Sequence, residues 1–308
     1  MGESKFNPNS ILLMQAQKAA FGGGTFAADP DSIPGADYTP PQKLYKEHYE
    51  RQGRLYRGKV PWSQAAVGFF GSDDPTDSAQ HQARAHAAYD VLMRLHVATD
   101  ILTAGVCTLE NLTRYELVVL PDLRFLTDEH LDALRLFHVS GRELLVFGEP
   151  GDEDESVKRS SEHPLAELSH GPLDPRVIEE TVAAMADRLR PTLRMDASVE
   201  GTVAGAVKAA AWADHPTNPS QVVVHVVNFN VGLASGECHI ARIAAATVTV
   251  PFPAKPVRSR IIRVDDRTED RARPVIEDGH AMVEVRDIGI HTIVVFDRDA
   301  GGRSTVEL

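Results

Sequence analysis

The sequence predicts an α/β protein in which a doubly wound domain with a parallel sheet precedes a small all-β antiparallel sandwich. Between Trp62 and Arg190, short apolar runs alternate with helical patterns, which is typical of a parallel sheet. After Pro191 the pattern changes to short strands separated by turns rich in Gly, Pro and Asp. We therefore expect three regions. They are an N-terminal arm of helices and loops (1–60), an α/β domain (61–191) and a C-terminal β-sandwich domain (192–308).

Three apolar runs in the middle region predict strands that are covered on both faces. They lie at 65–70, 115–121 and 142–148. A helical pattern follows each of the first two strands. The first of these helices has Asp77 or Ser78 as its expected N-cap. The second is capped by Thr127, with Leu126 and Leu131 placed for a hydrophobic staple.

The arm contains two helical patterns, one over Ile11–Ala20 and one that begins at Pro40. Tyr45, His48 and Tyr49 share a broad face of the second helix. The strands expected in the C-terminal region are 222–230, 241–253, 257–265, 281–287 and 291–297.

Composition argues against several classes of function. The chain of 308 residues has 43% hydrophobic and 25% charged residues, as ordinary globular proteins do. Its formal net charge of -12 argues against a nucleic acid or an anionic membrane as the main partner. Cys107 and Cys238 belong to no CxxC or Cys/His cluster, so we expect neither a disulfide framework nor a zinc site. The apolar run ILLM is too short for a signal-peptide core or a membrane span, so we expect a cytoplasmic protein.

The run Gly22, Gly23 and Gly24 raises the question of a phosphate-binding loop. It follows a helical segment and precedes a proline-rich loop, and its spacing fits neither GxGxxG nor GxxxxGK[ST]. We therefore interpret the run as a helix stop at which two backbones approach closely.

Acidic residues follow the predicted parallel strands, at the sheet edge where α/β domains bind their ligands. Asp73 and Asp74 follow the first strand, Asp122 follows the second and Glu149 follows the third. These carboxylates could converge on Mg²⁺. They could also be helix caps and solvated loop residues, which is the commoner use of acidic side chains.

The arm carries a group of aromatic residues that has two interpretations. They could line a sugar-stacking surface, or they could pack a helix against a neighbouring domain. The group consists of Tyr38, Tyr45, Tyr49, Tyr56 and Trp62. The histidines form no HExxH pattern, and we expect core or surface roles for His81, His86 and His225.

The order of three segments resembles the rear half of family 42 β-galactosidase-type glycoside hydrolases. The segments are AQKAAFGGGTF, YKEHYERQGRLYRGKVPWSQAAVGFFGSDD and LTRYELVVLPDLRFLTDEHLDALRLFHVSGRELLVFGEPG. In that family the corresponding segments belong to the last βα unit of a (β/α)8 barrel, an arm, and an amidotransferase-like domain used for trimerisation. VVVHVVNFN and GIHTIVVF resemble strands of the family's small β-domain. Arg142 departs from the pattern, because the family has a second helix-ending glycine there.

The resemblance implies an amidotransferase/flavodoxin-like parallel sheet, with the 1–60 arm resembling the end of a barrel. It makes Gly22, Gly23, Gly24 and Phe26 candidate substrate-binding residues at the rim of a sugar-binding barrel. The family's acid/base and nucleophile carboxylates lie on earlier barrel strands that would precede Asn7. We therefore expect no catalytic residue, metal or cofactor in this chain.

Amidotransferases carry a nucleophilic cysteine at the position of Glu149, so the resemblance excludes thiolate chemistry there. The implied function is a non-catalytic C-terminal portion of a β-galactosidase-like glycoside hydrolase, serving oligomerisation and completion of a sugar-binding barrel. Its expected partners are further copies of itself or a chain that carries the catalytic barrel, with carbohydrate as a ligand.

Two other hypotheses stay open at this point. The chain could be a standalone regulatory module that binds a small ligand or ion at the acidic edge formed by Asp73, Asp74, Asp122 and Glu149. It could also be an independent enzyme that uses the degenerate amidotransferase site.

Overall fold

The chain forms two compact units in the computed structural model. One unit combines Met1–Trp62 with Leu193–Leu308, and the other is Ser63–Thr192. We call them the β unit and the α/β unit. The structure describes residues 8–21, 39–70, 75–121, 126–147, 153–154, 157–158, 165, 176–177, 180–181, 194–197, 204–234, 237–252 and 257–298. The three predicted regions, with boundaries at 60 and 191, stay a prediction.

The helices and strands are numbered in chain order. The helices are α1 (Pro8–Ala20), α2 (Thr39–Gln52), α3 (Pro75–Arg94), α4 (Leu109–Leu112) and α5 (Asp128–Val139). The strands are β1 (Val60–Pro61), β2 (Ala65–Gly68), β3 (Thr99–Leu102), β4 (Leu117–Pro121), β5 (Glu143–Phe147), β6 (Glu153–Asp154), β7 (Val157–Lys158), β8 (Arg194–Ala197), β9 (Val207–Ala213), β10 (Gln221–Asn228), β11 (Val231–Ala234), β12 (Glu237–Ile240), β13 (Ile243–Pro251), β14 (Val257–Arg263), β15 (Thr268–Ala272), β16 (Val275–Glu277), β17 (His280–Ile288) and β18 (His291–Arg298).

The α/β unit is built on a four-stranded parallel sheet in the order β3-β2-β4-β5. One apolar cluster joins α3 to one face of the sheet, and a second joins α4 and α5 to the other. Every residue of β2 and β4 is buried, which explains why both strands appear in the sequence as continuous apolar runs. The predicted α/β class with a parallel sheet is therefore confirmed.

Two helix starts in the α/β unit test the capping predictions. The prediction for α3 is wrong: the helix begins at Pro75, so Asp77 and Ser78 lie inside it. Proline fits the first turn of a helix because its missing N–H would have no partner there. Thr127 does cap α5, and a capping box joins it to His130 through two hydrogen bonds of 3.3 Å. Leu126 is buried in the same cluster as the side chains of α5.

The β unit contains antiparallel sheets, as predicted for the C-terminal region. A six-stranded sheet has the order β1-β9-β10-β18-β14-β15, a four-stranded sheet has the order β16-β17-β13-β8, and β11 pairs with β12. The prediction missed several strands of the described residues, in both units; β3 and β9 are two of them. Strand β3 has only four residues and lies at a sheet edge. Strand β9, VKAAAWA, consists mainly of alanine, which has a low strand propensity.

Helices α1 and α2 cover one face of the six-stranded sheet. Alternate residues of β10 and β18 face the helices, and Val223, Val227, Ile293 and Val295 share a buried cluster with side chains of α1 and α2. The intervening residues are fully buried as well; they are Val222, Val224, Val226, Val294 and Phe296. This arrangement places the inner face of α2 over His225 and His291. Within the described residues, no helix combines the length and the apolar character needed to cross a membrane.

Candidate functional site

The site residues predicted from the sequence lie outside the described residues. They are the candidate sugar-binding residues Gly22, Gly23, Gly24 and Phe26, and the candidate ion-binding residues Asp73, Asp74, Asp122 and Glu149. Both sets stay predictions. Helix α1 does end at Ala20, whose carbonyl accepts a hydrogen bond of 2.7 Å from Trp212 Nε1. The glycine run therefore follows a helix end, as the sequence indicated.

A buried histidine lies where β2 ends in the parallel sheet. The Phe70 backbone N–H donates to His81 Nε2 at 3.1 Å, and the Phe69 ring stacks on the imidazole at 5.3 Å. Burial lowers the pKa of His81 more than the nearby Pro121 carbonyl raises it, so the ring is neutral at pH 7. His81 Nδ1 has no hydrogen bond of good geometry among the described residues. Since Nε2 is occupied by a backbone amide, His81 holds the strand end in place and its Nε2 is not available as a base.

The aromatic group of the arm packs inside the β unit. Tyr45 is buried, Tyr49 and Tyr56 are partly buried against the same cluster, and Trp62 is also buried; Tyr38 lies outside the described residues. The packing interpretation is therefore correct for these side chains, and burial makes the sugar-stacking interpretation wrong for Tyr45 and Trp62. Their neighbours are strands of their own unit. The reason is that the helical face that carries Tyr45 also carries Leu44, and both side chains turn to the sheet.

Four buried polar side chains and the partly buried Tyr56 form what we call the histidine–tyrosine cluster: Tyr45, His48, Tyr56, His225 and His291. Tyr45 Oη and His291 Nδ1 are hydrogen-bonded at 3.0 Å, and His291 Nε2 and His225 Nδ1 at 3.1 Å. A separate hydrogen bond of 2.6 Å joins His48 Nε2 to Tyr56 Oη. The Tyr45 and His291 rings stack at 5.9 Å, and the Tyr56 ring lies 5.4 Å from that of His225.

Burial determines the charge of this cluster. It lowers the pKa of His48 to about 4, with a smaller contribution from Arg51. It lowers the pKa of His225 to about 3, and the pKa of His291 also falls well below its usual range. Burial raises the pKa values of Tyr45 and Tyr56 well above 10. All five groups are therefore neutral at pH 7.

A carboxylate next to the cluster fixes the chain at the start of β18. Asp265 accepts hydrogen bonds from the backbone N–H groups of Ile290 and His291, at 3.0 and 3.1 Å. Asp265 also lies 3.9 Å from the guanidinium of Arg242, which pairs with Asp266 and Asp287 as well. Gly289 permits this approach, because a Cβ at that position would lie 1.8 Å from Asp265 Oδ2.

The thiol of Cys107 and the metal-binding potential of the described residues complete the account of the chemical groups. Cys107 is a buried, unbridged thiol, and burial raises its pKa to about 12, so the side chain packs as a small hydrophobe. Among the described residues, no group of three or more His, Cys, Asp or Glu side chains is arranged to hold a metal ion.

The sequence pointed to individual members of the histidine–tyrosine cluster and not to the cluster. It placed Tyr45 and His48 on one helical face and His225 inside a strand. His291 was missed, although it starts the apolar run 291–297. The alternation along β10 could have placed His225 correctly. Alternate residues of a strand share a face, so His225 lies on the same helix-facing side as Val223 and Val227.

Comparisons with protein-family models and with curated proteins found no match. Among solved structures, α-L-fucosidase isoenzyme 2 from Paenibacillus thiaminolyticus aligns over 95% of this chain and 58% of its own, with 14% identity and a TM-score of 0.63. Gan42B, a GH42 β-galactosidase from G. stearothermophilus, aligns over 95% of this chain and 51% of its own, with 12% identity and a TM-score of 0.53. At these identities the likeness shows the fold alone. The chain spans between 51% and 58% of the length of these two glycoside hydrolases.

Proposed function

We propose that this chain is a non-catalytic portion of a glycoside hydrolase related to the GH42 β-galactosidases, serving self-association and completion of a sugar-binding barrel. One observation carries the proposal. Two glycoside hydrolases match 95% of this chain with TM-scores above 0.5, while this chain covers little more than half of either of them. The sequence resemblance points to the same family and assigns the match to its C-terminal part.

The strand order supports an amidotransferase-like, doubly wound assignment for the α/β unit. From β2 the chain goes outward to β3, returns to β4 on the other side of β2, and continues to β5. Helices lie on both faces of the sheet. An open sheet whose strand order reverses between two central strands, with helices on both faces, is the doubly wound arrangement.

The absence of catalysis in this chain alone is part of the proposal. A retaining glycosidase needs two carboxyl groups about 5–5.5 Å apart across the scissile bond. In the resembling family these groups lie on earlier strands of the barrel. The described parallel strands form an open sheet with β3 and β5 at its edges, and not the closed barrel on which that family carries its two carboxyl groups.

The test is to assay the purified chain with nitrophenyl β-galactoside and nitrophenyl α-fucoside, and to measure its mass by light scattering over a range of concentrations. We expect no enzyme-like turnover and a mass greater than that of a monomer. Turnover at enzyme-like rates would overturn the non-catalytic assignment. A monomer at all concentrations would overturn the role in self-association.

Exposed apolar side chains on α5 offer a sharper test of self-association. Leu136 is 53% exposed and Val139 is 81% exposed, one turn apart on the same helical face. Replacing both by Asp should weaken self-association by about tenfold or more, because association would then bury two carboxylates without partners. The matched control is Val275→Asp, at a position that is 62% exposed in the β unit. An equal mass for both variants and the parent chain would exclude this face of α5 as the surface of self-association.

A further inference from the structure

The histidine–tyrosine cluster lies where α2 and the turn after it meet the six-stranded sheet. Tyr45, His48 and Tyr56 come from the helical side, while His225 and His291 come from the central strands β10 and β18. The contacts cross the junction, through the Tyr45–His291 hydrogen bond and the Tyr56–His225 ring contact. The state of the cluster therefore bears directly on how firmly α2 is held. Helix α1 shares a buried apolar cluster with α2, so its attachment depends on that of α2.

The two hydrogen bonds of His291 are those expected of a neutral imidazole ring. A neutral imidazole has one donor and one acceptor, which suits a ring that is bonded to Tyr45 on Nδ1 and to His225 on Nε2. If His225 and His291 are both protonated, two N–H donors face each other across 3.1 Å. The hydrogen bond is then lost, and two like charges are in contact.

The surroundings provide little compensation for positive charge. On α2, Arg51 has the same sign as a protonated His48 and lowers its pKa further. On the sheet side, the carboxylate of Asp265 is already engaged by two backbone N–H groups. The remaining titratable neighbours, Tyr49 and Tyr56, are neutral phenols. A protonated ring in the cluster is thus desolvated without a free counter-charge.

The other polar ties between α2 and the sheet are at the surface. Arg267 pairs with Glu47 at 3.3 Å, and Gln52 donates to Glu269 at 2.9 Å. Exposed pairs of this kind contribute little to stability. Apolar burial and the histidine–tyrosine cluster therefore dominate the attachment of α2, and of these two only the cluster takes up protons.

We propose that the histidine–tyrosine cluster is an acid-sensitive latch: proton uptake by His48, His225 and His291 releases α1 and α2 from the six-stranded sheet, while the α/β unit stays folded. This inference is independent of the proposed function, since it concerns only contacts within the β unit.

The sign follows from the lowered pKa values. When the helices are released, the three rings regain an ordinary pKa near 6.5, so the released state binds more protons than the docked state. The docking contribution is complete above pH 6.5 and falls as the pH decreases toward the docked values, about 4 for His48 and about 3 for His225. Each histidine shifts the equilibrium by up to about tenfold per pH unit, and three together approach about a thousandfold.

The experiment is hydrogen–deuterium exchange of the full chain between pH 7.5 and pH 4.5, corrected for the intrinsic exchange rate. From pH 6 to pH 5, protection of α1 and α2 should fall by far more than tenfold, and protection of β4 and α5 by less than tenfold. A fall of less than tenfold in α1 and α2 would overturn the proposal, and so would an equal loss in both units.

Single variants identify the histidines that carry the effect. His48→Gln and His225→Gln should each remove about one proton from the pH dependence of helix release. His239→Gln is the matched control, because His239 is exposed in the same unit, and this variant should leave the dependence unchanged. An unchanged dependence in both cluster variants would contradict the latch. If these variants are unfolded at neutral pH, the test rests on the unmodified chain. The pH dependence of its helix release gives the number of protons taken up, and that number supports or contradicts the latch.

Discussion

The two units attach helices to sheets in different ways. In the α/β unit, α5 contacts the parallel sheet through an apolar cluster that contains Leu131, Leu134 and Phe137. In the β unit, α2 contacts the six-stranded sheet partly through Tyr45 and His48. An apolar junction depends on shape and volume, whereas a buried polar junction also depends on every donor having its acceptor.

This difference shows why the two junctions should respond to different perturbations. Loss of volume should damage the α5 junction most, because its contacts are dispersion and apolar burial. A change in protonation should damage the α2 junction most, because its rings are buried without a free counter-charge. The predictions that follow test this contrast.

The largest effect is expected from a cavity in the apolar junction. Phe137 is fully buried in the cluster below α5. Phe137→Ala should lower the free energy of unfolding of the α/β unit by about 3–5 kcal/mol, because the transfer energy of the ring is lost and a cavity remains. Denaturant unfolding measures the change. The neighbouring, exposed Leu136 is the control, and Leu136→Ala should change stability by less than about 0.5 kcal/mol. Equal effects in the two variants would contradict an apolar α5 junction.

A backbone contact next to the polar junction gives the second test. In Gly289→Ala the new Cβ would overlap Asp265 Oδ2. The carboxylate must then move, and it loses the hydrogen bond from the Ile290 N–H to Oδ2 and the one from the His291 N–H to Oδ1. We expect a loss of about 1–3 kcal/mol in the β unit, as for other overpacked sites. The double variant Gly289→Ala with Asp265→Ala should be less destabilised than the sum of the two single variants, because the overlap is gone. Strict additivity would show that the two residues do not conflict.

The same contrast explains how much of the structure could be predicted from the sequence. Strands such as β4 and β10 were predicted because their apolar runs are local signals of burial on both faces. The cap at Thr127 was predicted for the same reason, since all its partners lie within a few residues. The cap of α3 was not, because Pro75 begins the helix before Asp77.

The histidine–tyrosine cluster was beyond the reach of local patterns. Tyr45 and His291 are 246 residues apart, and only the pairing of β10 with β18 brings His225 beside His291. Periodicity assigns a residue to one face of its own helix or strand. It does not say which other helix or strand packs against that face. The predicted glycine and carboxylate sites lie outside the described residues, so they stay predictions.

His81 sharpens the comparison, because it brings a buried polar side chain into the α/β unit, whose helices are attached mainly by apolar contacts. His81→Leu leaves the Phe70 N–H without an acceptor, and we expect a loss of about 1–3 kcal/mol at pH 7.5. His81→Gln, the control, retains an acceptor and should lose less. The lowered pKa of His81 means that its contribution is complete above pH 6.5 and falls as the pH decreases. Both variants should therefore remove this part of the pH dependence of unfolding of the unit, and an unchanged dependence would contradict this role of His81.

The smallest effect concerns the start of α5, where polar contacts are local and exposed. Thr127→Ala removes the acceptor for the His130 N–H and should cost about 1 kcal/mol, the usual contribution of an N-cap. Thr127→Ser, the control, keeps the hydroxyl and should stay within about 0.5 kcal/mol of the parent. Thermal unfolding of the α/β unit at pH 7.5 measures both. If Thr127→Ala had no effect, the apolar contacts of α5 alone would fix its start, and the contrast with α2 would be sharper still.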